Sequence, residues 1–186
     1  DEEHASWVTS VGGVRVVGLD STRSVGGVIE HGGGVDEARV AWLDAVLAGP
    51  HDGVTVLAMH HPPFASGIWW MDRYGFPGVE LLEEVVAGRG VDRIMCGHLH
   101  RPMTSMFAGV IAEVGMSTVQ HVGLDLTDHE AVTVVDDPVG YQLLQVRPDD
   151  PYRGVGSGPR AVMHHRYVDP ASEPIVPEWA DDFRRP

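Results

Sequence analysis

Val-Leu-Ala-Met-His-His-Pro-Pro, from Val56 to Pro63, and Met-Cys-Gly-His-Leu-His, from Met95 to His100, decide how this chain reads. In each, an apolar run ends in histidine. A short unbroken apolar run is the pattern of a strand covered on both faces. Val54 to Met59 and Asp92 to Cys96 are predicted to be such strands. His60, His98 and His100 then sit at the ends of neighbouring strands. Imidazole suits first-row metals such as zinc, iron and manganese. In open α/β sheets, ligands bind outside the carboxyl ends of strands, which is where both stretches fall.

Outward from these stretches, Val14 to Leu19 reads as another strand, ending at Asp20-Ser21-Thr22. Gly26 to Gly34 is glycine-rich and predicts a loop. Asp36 starts a helix in which Val40, Leu43 and Leu47 recur at three-to-four spacing. Asp36 and Glu37 suit its N-terminus, and Gly49-Pro50 ends it. Phe64 to Gly78 predicts a long loop, and Val79 to Val86 a second amphipathic helix closed by Gly88 and Gly90. Gly109 to Val114 and Thr118 to Leu124 predict further strands. Tyr141 to Val146 and Ala161 to Val168 predict a strand pair around a loop from Asp149 to Pro159. Asp1 to Thr9 shows no pattern, and Pro170 to Pro186 is a polar tail. Strands alternating with helices, then a strand-rich end, predict a layered α/β or α+β fold.

The chain has 186 residues, enough for one domain with a proper core. Its formal charge of −14 argues against nucleic acid and against an anionic membrane surface. No apolar run approaches the roughly 20 residues needed to cross a bilayer. No signal peptide is visible, and the single Cys96 fits a reducing, cytoplasmic compartment. Cys96 itself reads as a small buried apolar residue.

His98 and His100 either point to one side of an extended segment or fan around a metal from a loop. Gly97 before them permits unusual backbone angles or close approach. His60 and His61 are adjacent and point in different directions. One reads as a ligand; the other is a supporting or phosphate-facing group, or a turn residue. Asp20 is either a carboxylate near the site or the cap of its own turn. The Trp69-Trp70 loop is a substrate wall, a dimer contact or core packing.

Leu19-Asp20-Ser21, Trp42-Leu43, Met59-His60-His61-Pro62-Pro63, Cys96-Gly97-His98-Leu99-His100 and Ser117-Thr118-Val119-Gln120-His121-Val122 together resemble the C-terminal half of calcineurin-like metallophosphoesterases. Bacterial glycerophosphodiesterases and class III cyclic nucleotide phosphodiesterases are the most similar within that family. The resemblance runs from about Val14 to about Val168. It implies an α/β fold, a layered α/β-β-α sandwich, here lacking its N-terminal half. Residues 1–168 would be the C-terminal part of the domain, and 169–186 a tail. It implies two divalent metal ions (Zn, Mn, Fe or Co), His60 and His98 on one and His100 on the other. A bridging hydroxide would attack phosphorus. His61 would be a neighbour of the site with a catalytic role, and His121 a second catalytic candidate.

The family's Asp-x-His, Gly-Asp and Gly-Asn-His motifs do not occur here. The isolated chain is therefore expected to lack the complete binuclear centre and to be inactive alone, with catalysis belonging to a parent phosphodiesterase. Related glycerophosphodiesterases place His directly after Thr-Val, whereas Gln120 intervenes here, which puts the facing of His121 in question. The expected partners are a small phosphodiester substrate and either a second copy or a complementary N-terminal fragment. The competing reading is a non-catalytic module that keeps the fold, with a single metal on three His or with a dimerisation role.

Overall fold

A computed structural model of the chain describes residues 4–127, 133–147 and 160–168. The expected loop from Asp149 to Pro159 and the tail from Pro170 to Pro186 lie outside them. In chain order the elements are β1 (Trp7–Val11), β2 (Val14–Leu19), β3 (Ser24–Val25), β4 (Val28–Ile29), α1 (Glu37–Ala48) and β5 (Val54–Met59). They continue with α2 (Trp69–Asp72), α3 (Val79–Val86), β6 (Arg93–Cys96), β7 (Met103–Phe107) and β8 (Val110–Val114). Last come β9 (His121–Val122), β10 (Val134–Val135), β11 (Gly140–Arg147) and β12 (Arg160–Tyr167).

The central sheet has six strands in the order β1-β2-β5-β6-β8-β7. Strands β2, β5, β6 and β8 run parallel, and the two edge strands run antiparallel. This is a mixed α/β architecture. Register fixes which residues share a face. Val17, Leu57, Ile94 and Ala112 lie side by side, as do Leu19, Met59, Cys96 and Val114. All are buried in one core with Val40, Leu43 and Leu47 of α1 and Leu82 and Val86 of α3. The helices thus cover one face of the sheet. Arg15 belongs to the same face. Its guanidinium donates to the carbonyls of Val46 and Gly49 at the end of α1 and to Thr55 Oγ1, so a cation closes the helix's negative end.

The opposite face carries Val16, Val56, Ala58, Met95, Ile111 and Glu113. Trp7 crosses it over Gly18, where a Cβ would lie 2.3 Å from the indole, so only glycine fits beneath the ring. The hairpin of β11 and β12 reaches this region through Arg93, which donates to the Ala161 carbonyl.

The structure corrects several sequence expectations. The patternless start runs into β1, and the glycine-rich loop opens with the turn and second strand of the β3–β4 hairpin. Gly12-Gly13, Gly26-Gly27 and Ala108-Gly109 each have positive φ at both positions, as a two-residue type I′ hairpin requires. The loop from Phe64 to Gly78 holds the short α2, anchored by Asp72, whose carboxylate accepts N–H bonds from Ser66 and Gly67. The strand expected from Thr118 to Leu124 shrinks to His121–Val122, paired with β10. β7 was not expected at all. Among the described residues no helix is long and apolar enough to cross a membrane.

Candidate metal and phosphodiester site

Because β2, β5 and β6 are parallel neighbours, their carboxyl ends meet at one edge of the sheet. His60 and His61 follow β5, and Gly97 and His98 follow β6. The Gly97 N–H donates to the His60 carbonyl at 2.9 Å, continuing the ladder past both strand ends. The rings converge, with centroids 5.2 Å apart for His60–His98, 4.6 Å for His61–His98 and 4.7 Å for His60–His61. One ligand atom from each lies within 4.8 Å of the others. His60 is exposed, His98 half-buried and His61 buried.

The structure therefore brings His60 and His98 together as expected, and adds His61 to them. His100 lies outside this group of three and faces the adjoining cleft beside His98. Gly97 is not the strained residue. Its φ is ordinary, and a Cβ there would meet His60 Nδ1 at 3.4 Å, ordinary contact. The left-handed conformation falls on His98 (φ 68°) and His100 (φ 49°) instead. For a non-glycine residue that conformation costs roughly 1–2 kcal/mol, and such strain gathers at functional sites.

Two features seat His61. Ser21 Oγ, at the end of β2, accepts its backbone N–H at 3.1 Å and lies 3.0 Å from its Nδ1. Gly33 passes so close that a Cβ would fall 2.2 Å from the His61 Cβ. The Ser21 contact gives a part in the site to a residue to which the sequence assigned no role of its own.

The site favours neutral imidazoles. Burial pushes the His61 pKa down to about 4, helped by the His60 ring. His98 is pushed to about 4 by burial and then by His61, His60 and His100. His60 is lowered by burial and by His100. A neutral imidazole has a free lone pair, which a metal requires.

Asp20 is a turn cap. Burial opposes its ionisation, but bonds from Thr22 and the Ala5 N–H, with the Arg39 charge, hold its pKa below the ordinary carboxylate value. Cys96 is buried, and desolvation raises its thiol to about 12, so it is inert.

Two clefts flank the histidines. One, of about 220 Å³, is lined by His61 and His98 with Phe64, Met71, Phe76 and Leu99. The other, of about 320 Å³, is lined by His31, Trp70, Arg73, Tyr74, His100 and His121, among others. His121 is only 2% exposed, and its Nδ1 has no hydrogen-bond partner among the described residues. The extra residue Gln120 has not carried His121 away from the cleft; both line it. Arg101 holds this segment, donating to the Val122 carbonyl at 2.7 Å and to Asp137 at 3.0 Å. The Trp69-Trp70 loop resolves into α2, with Trp70 on the cleft wall.

No protein-family model matches the chain. Curated relatives do. The chain is 32% identical over 121 residues to a probable cyclic nucleotide phosphodiesterase of Rhodopseudomonas palustris, covering 64% of this chain and 44% of that protein. It is 32% identical over 145 residues to a probable glycerophosphodiester phosphodiesterase of Arcobacter nitrofigilis, covering 77% and 52%. It is 32% identical over 143 residues to a cAMP/cGMP dual specificity phosphodiesterase of Mycobacterium tuberculosis, covering 76% and 43%. The chain spans about half the length of these relatives. By sequence it is a homologue of bacterial cyclic nucleotide and glycerophosphodiester phosphodiesterases, within the calcineurin-like metallophosphoesterases it resembles.

Proposed function

We propose that the chain carries the histidine-bearing part of a metal-dependent phosphodiesterase acting on cyclic nucleotides or glycerophosphodiesters. The observation that carries this reading is the convergence of His60, His61 and His98 at the ends of adjacent parallel strands. The relatives' names point the same way.

The donor set fits a divalent ion, because three imidazoles, one exposed, one half-buried and one buried, favour the neutral form and bring their nitrogens together. A bound divalent ion would lower the pKa of water and offset charge on phosphate oxygens. The chain's own residues orient and shield the reaction. Ser21 fixes the His61 ring through Nδ1. The left-handed backbone at His98 and His100 turns the segment after β6 back toward the β5 end. His121 lines the cleft and is the candidate there to meet a phosphate or leaving-group oxygen.

The complete centre in this proposal has two ions, with His100 on the second. In this proposal a further half would supply carboxylate ligands and complete the layered α/β-β-α sandwich. The test is hydrolysis of bis(p-nitrophenyl) phosphate, with Mn²⁺, Zn²⁺ or Co²⁺, by the parent phosphodiesterase that carries this chain. Metal-dependent turnover that falls at least a hundredfold in His98→Ala supports the reading. Turnover that survives both chelation and His98→Ala removes it.

One observation favours a second reading. The group of three contains no carboxylate among the described residues, and three His with water complete a tetrahedral zinc site. A non-catalytic single-metal module then binds one ion per chain and hydrolyses nothing. Two ions per chain would exclude it.

A further inference from the structure

We infer that His31 is a further substrate-contacting residue of the site. A strap of three glycines carries its imidazole to the cleft that His98 and His100 also line, where its N–H meets an oxygen of the phosphodiester. The inference rests on the phosphodiesterase reading for the ligand, and it adds a residue that neither histidine stretch contains.

His31 lies between two pinned segments. On one side the β3–β4 hairpin closes at its base, where Glu30 donates its N–H to the Arg23 carbonyl at 2.9 Å and pairs with the Arg23 guanidinium at 2.7 Å. On the other side run Gly32, Gly33 and Gly34, all buried. None of the three has positive φ, so none is glycine for its backbone angles. Each is glycine for space. A Cβ would fall 2.6 Å from the Tyr74 Cβ at Gly32, 2.2 Å from the His61 Cβ at Gly33 and 2.9 Å from the Pro77 carbonyl oxygen at Gly34. The Gly34 N–H donates to the Ser21 carbonyl at 3.1 Å, and the Val35 N–H to the Pro77 carbonyl at 3.0 Å. The strap is wedged between the segment after β2, His61 and the loop before α3. Glycine loses more chain freedom on folding than any other residue, so three in a row are costly. A path this tight fixes the residue that enters it.

That residue is His31. Its imidazole is exposed and takes no part in the core. The ring hydrogen-bonds no other described residue and meets Tyr74 at 5.9 Å between centroids. It lines the cleft with His98 and His100, and it lies near enough for its charge to act on His98. The chain holds 27 acidic residues, yet among the described residues no carboxylate lines this cleft, and Arg73 does. The acidic surface is thus interrupted where an anion would enter. An imidazole keeps at least one N–H donor in either protonation state. Hydrogen bonds to ionised oxygens are the stronger ones, and a phosphodiester offers two such oxygens.

The test is calorimetric titration of the full chain with inorganic phosphate at one fixed Mn²⁺ concentration, beside Mn²⁺ affinity read by electron paramagnetic resonance. His31→Ala should weaken phosphate binding by about tenfold or more, the loss of one hydrogen bond to a charged group, and leave Mn²⁺ affinity within about twofold. His31→Gln keeps an N–H donor and should hold phosphate within about threefold of the unaltered chain. Phosphate affinity unchanged in His31→Ala, or no phosphate binding by the unaltered chain, overturns the inference. So does a His31→Ala protein that loses Mn²⁺ together with phosphate, or a His31→Gln protein no better than His31→Ala. Hydrolysis of bis(p-nitrophenyl) phosphate by the parent phosphodiesterase is read separately. Phosphate binding that depends on His31, without hydrolysis, keeps the assignment of His31 and removes the phosphodiesterase reading. Hydrolysis that collapses in His98→Ala and is unchanged in His31→Ala does the reverse.

Discussion

Gly33→Ala probes the seat of His61 directly. An alanine Cβ at residue 33 would lie 2.2 Å from the His61 Cβ, 2.4 Å from its Cγ and 2.8 Å from its Nδ1. Carbon atoms in good contact sit about 3.5–4.0 Å apart, so the overlap exceeds an ångström. The His61 Cβ is fixed to the backbone, so a rotamer change does not relieve the clash. Overpacking of this kind costs about 1–3 kcal/mol. Gly→Ala also stiffens the unfolded chain, which offsets roughly 0.4–1 kcal/mol. A net loss of ~1.3 kcal/mol at this chain length lowers Tm by roughly 3–5 °C. Gly97→Ala is the matched control. It has ordinary φ and would meet His60 Nδ1 only at 3.4 Å, so its Tm should stay within about 2 °C of the parent. Both are read by thermal unfolding, with and without Zn²⁺. An ion present at about 100 times its Kd stabilises by about 2.7 kcal/mol. The parent and Gly97→Ala should show that rise, and Gly33→Ala less than half of it. A Gly33→Ala protein that melts with the parent and responds fully to zinc would refute this seating of His61.

Ser21→Ala removes the hydroxyl that meets both the backbone N–H and Nδ1 of His61. It should cost about 1–3 kcal/mol in urea unfolding and weaken zinc binding roughly 10- to 100-fold in titration. His98→Gly relieves a left-handed residue at φ 68° while deleting an imidazole of the group. Without metal it should melt no lower than the parent, and it should gain nothing from zinc; a zinc-induced rise equal to the parent's counts against His98 as a ligand. Metal-free stability should fall on acidification. His61 and His98 have folded pKa values of about 4 against 6.5 ordinarily, so the folded state resists protons that the unfolded chain accepts. Stability is then full above pH 6.5 and declines as pH falls toward 4. His61, at 6% exposure, accounts for about 3 kcal/mol of that decline, and the more open His98 for less. Urea unfolding at stepped pH measures it, and a flat profile between pH 6.5 and 4.5 contradicts the burial of these rings.

The parallel strands were legible because their burial on both faces leaves a continuous apolar run, as in Val54–Met59. Helix α1 was legible from its stripe and from Asp36, whose carboxylate accepts the Arg39 N–H as an N-cap. The edge strand β1 was not, because all its residues are exposed and no alternation marks them. Its signal lay in Gly12-Gly13, a hairpin turn pair, and the same signal at Gly26-Gly27 announces β3–β4. β7 was missed for a related reason: alternate residues face solvent, and Pro102 and Ala108-Gly109 bracket it like loop.

At the site, the two histidine stretches were legible because strand ends concentrate function. The membership of His61 was not, because which of two adjacent histidines turns inward depends on Ser21 and Gly33, both remote in sequence. The cleft was equally hidden. Tyr74 and His31 come from different loops and meet only in the fold.

Three converging imidazoles serve phosphodiester chemistry only if they hold an ion. X-ray absorption at the zinc edge, on protein loaded with one equivalent of Zn²⁺, addresses this most directly. Bound zinc should show imidazole nitrogens at about 2.0–2.1 Å, and that imidazole shell should be lost in His60→Ala with His98→Ala. A spectrum of fully hydrated zinc, or an unchanged imidazole shell in the double variant, would contradict it.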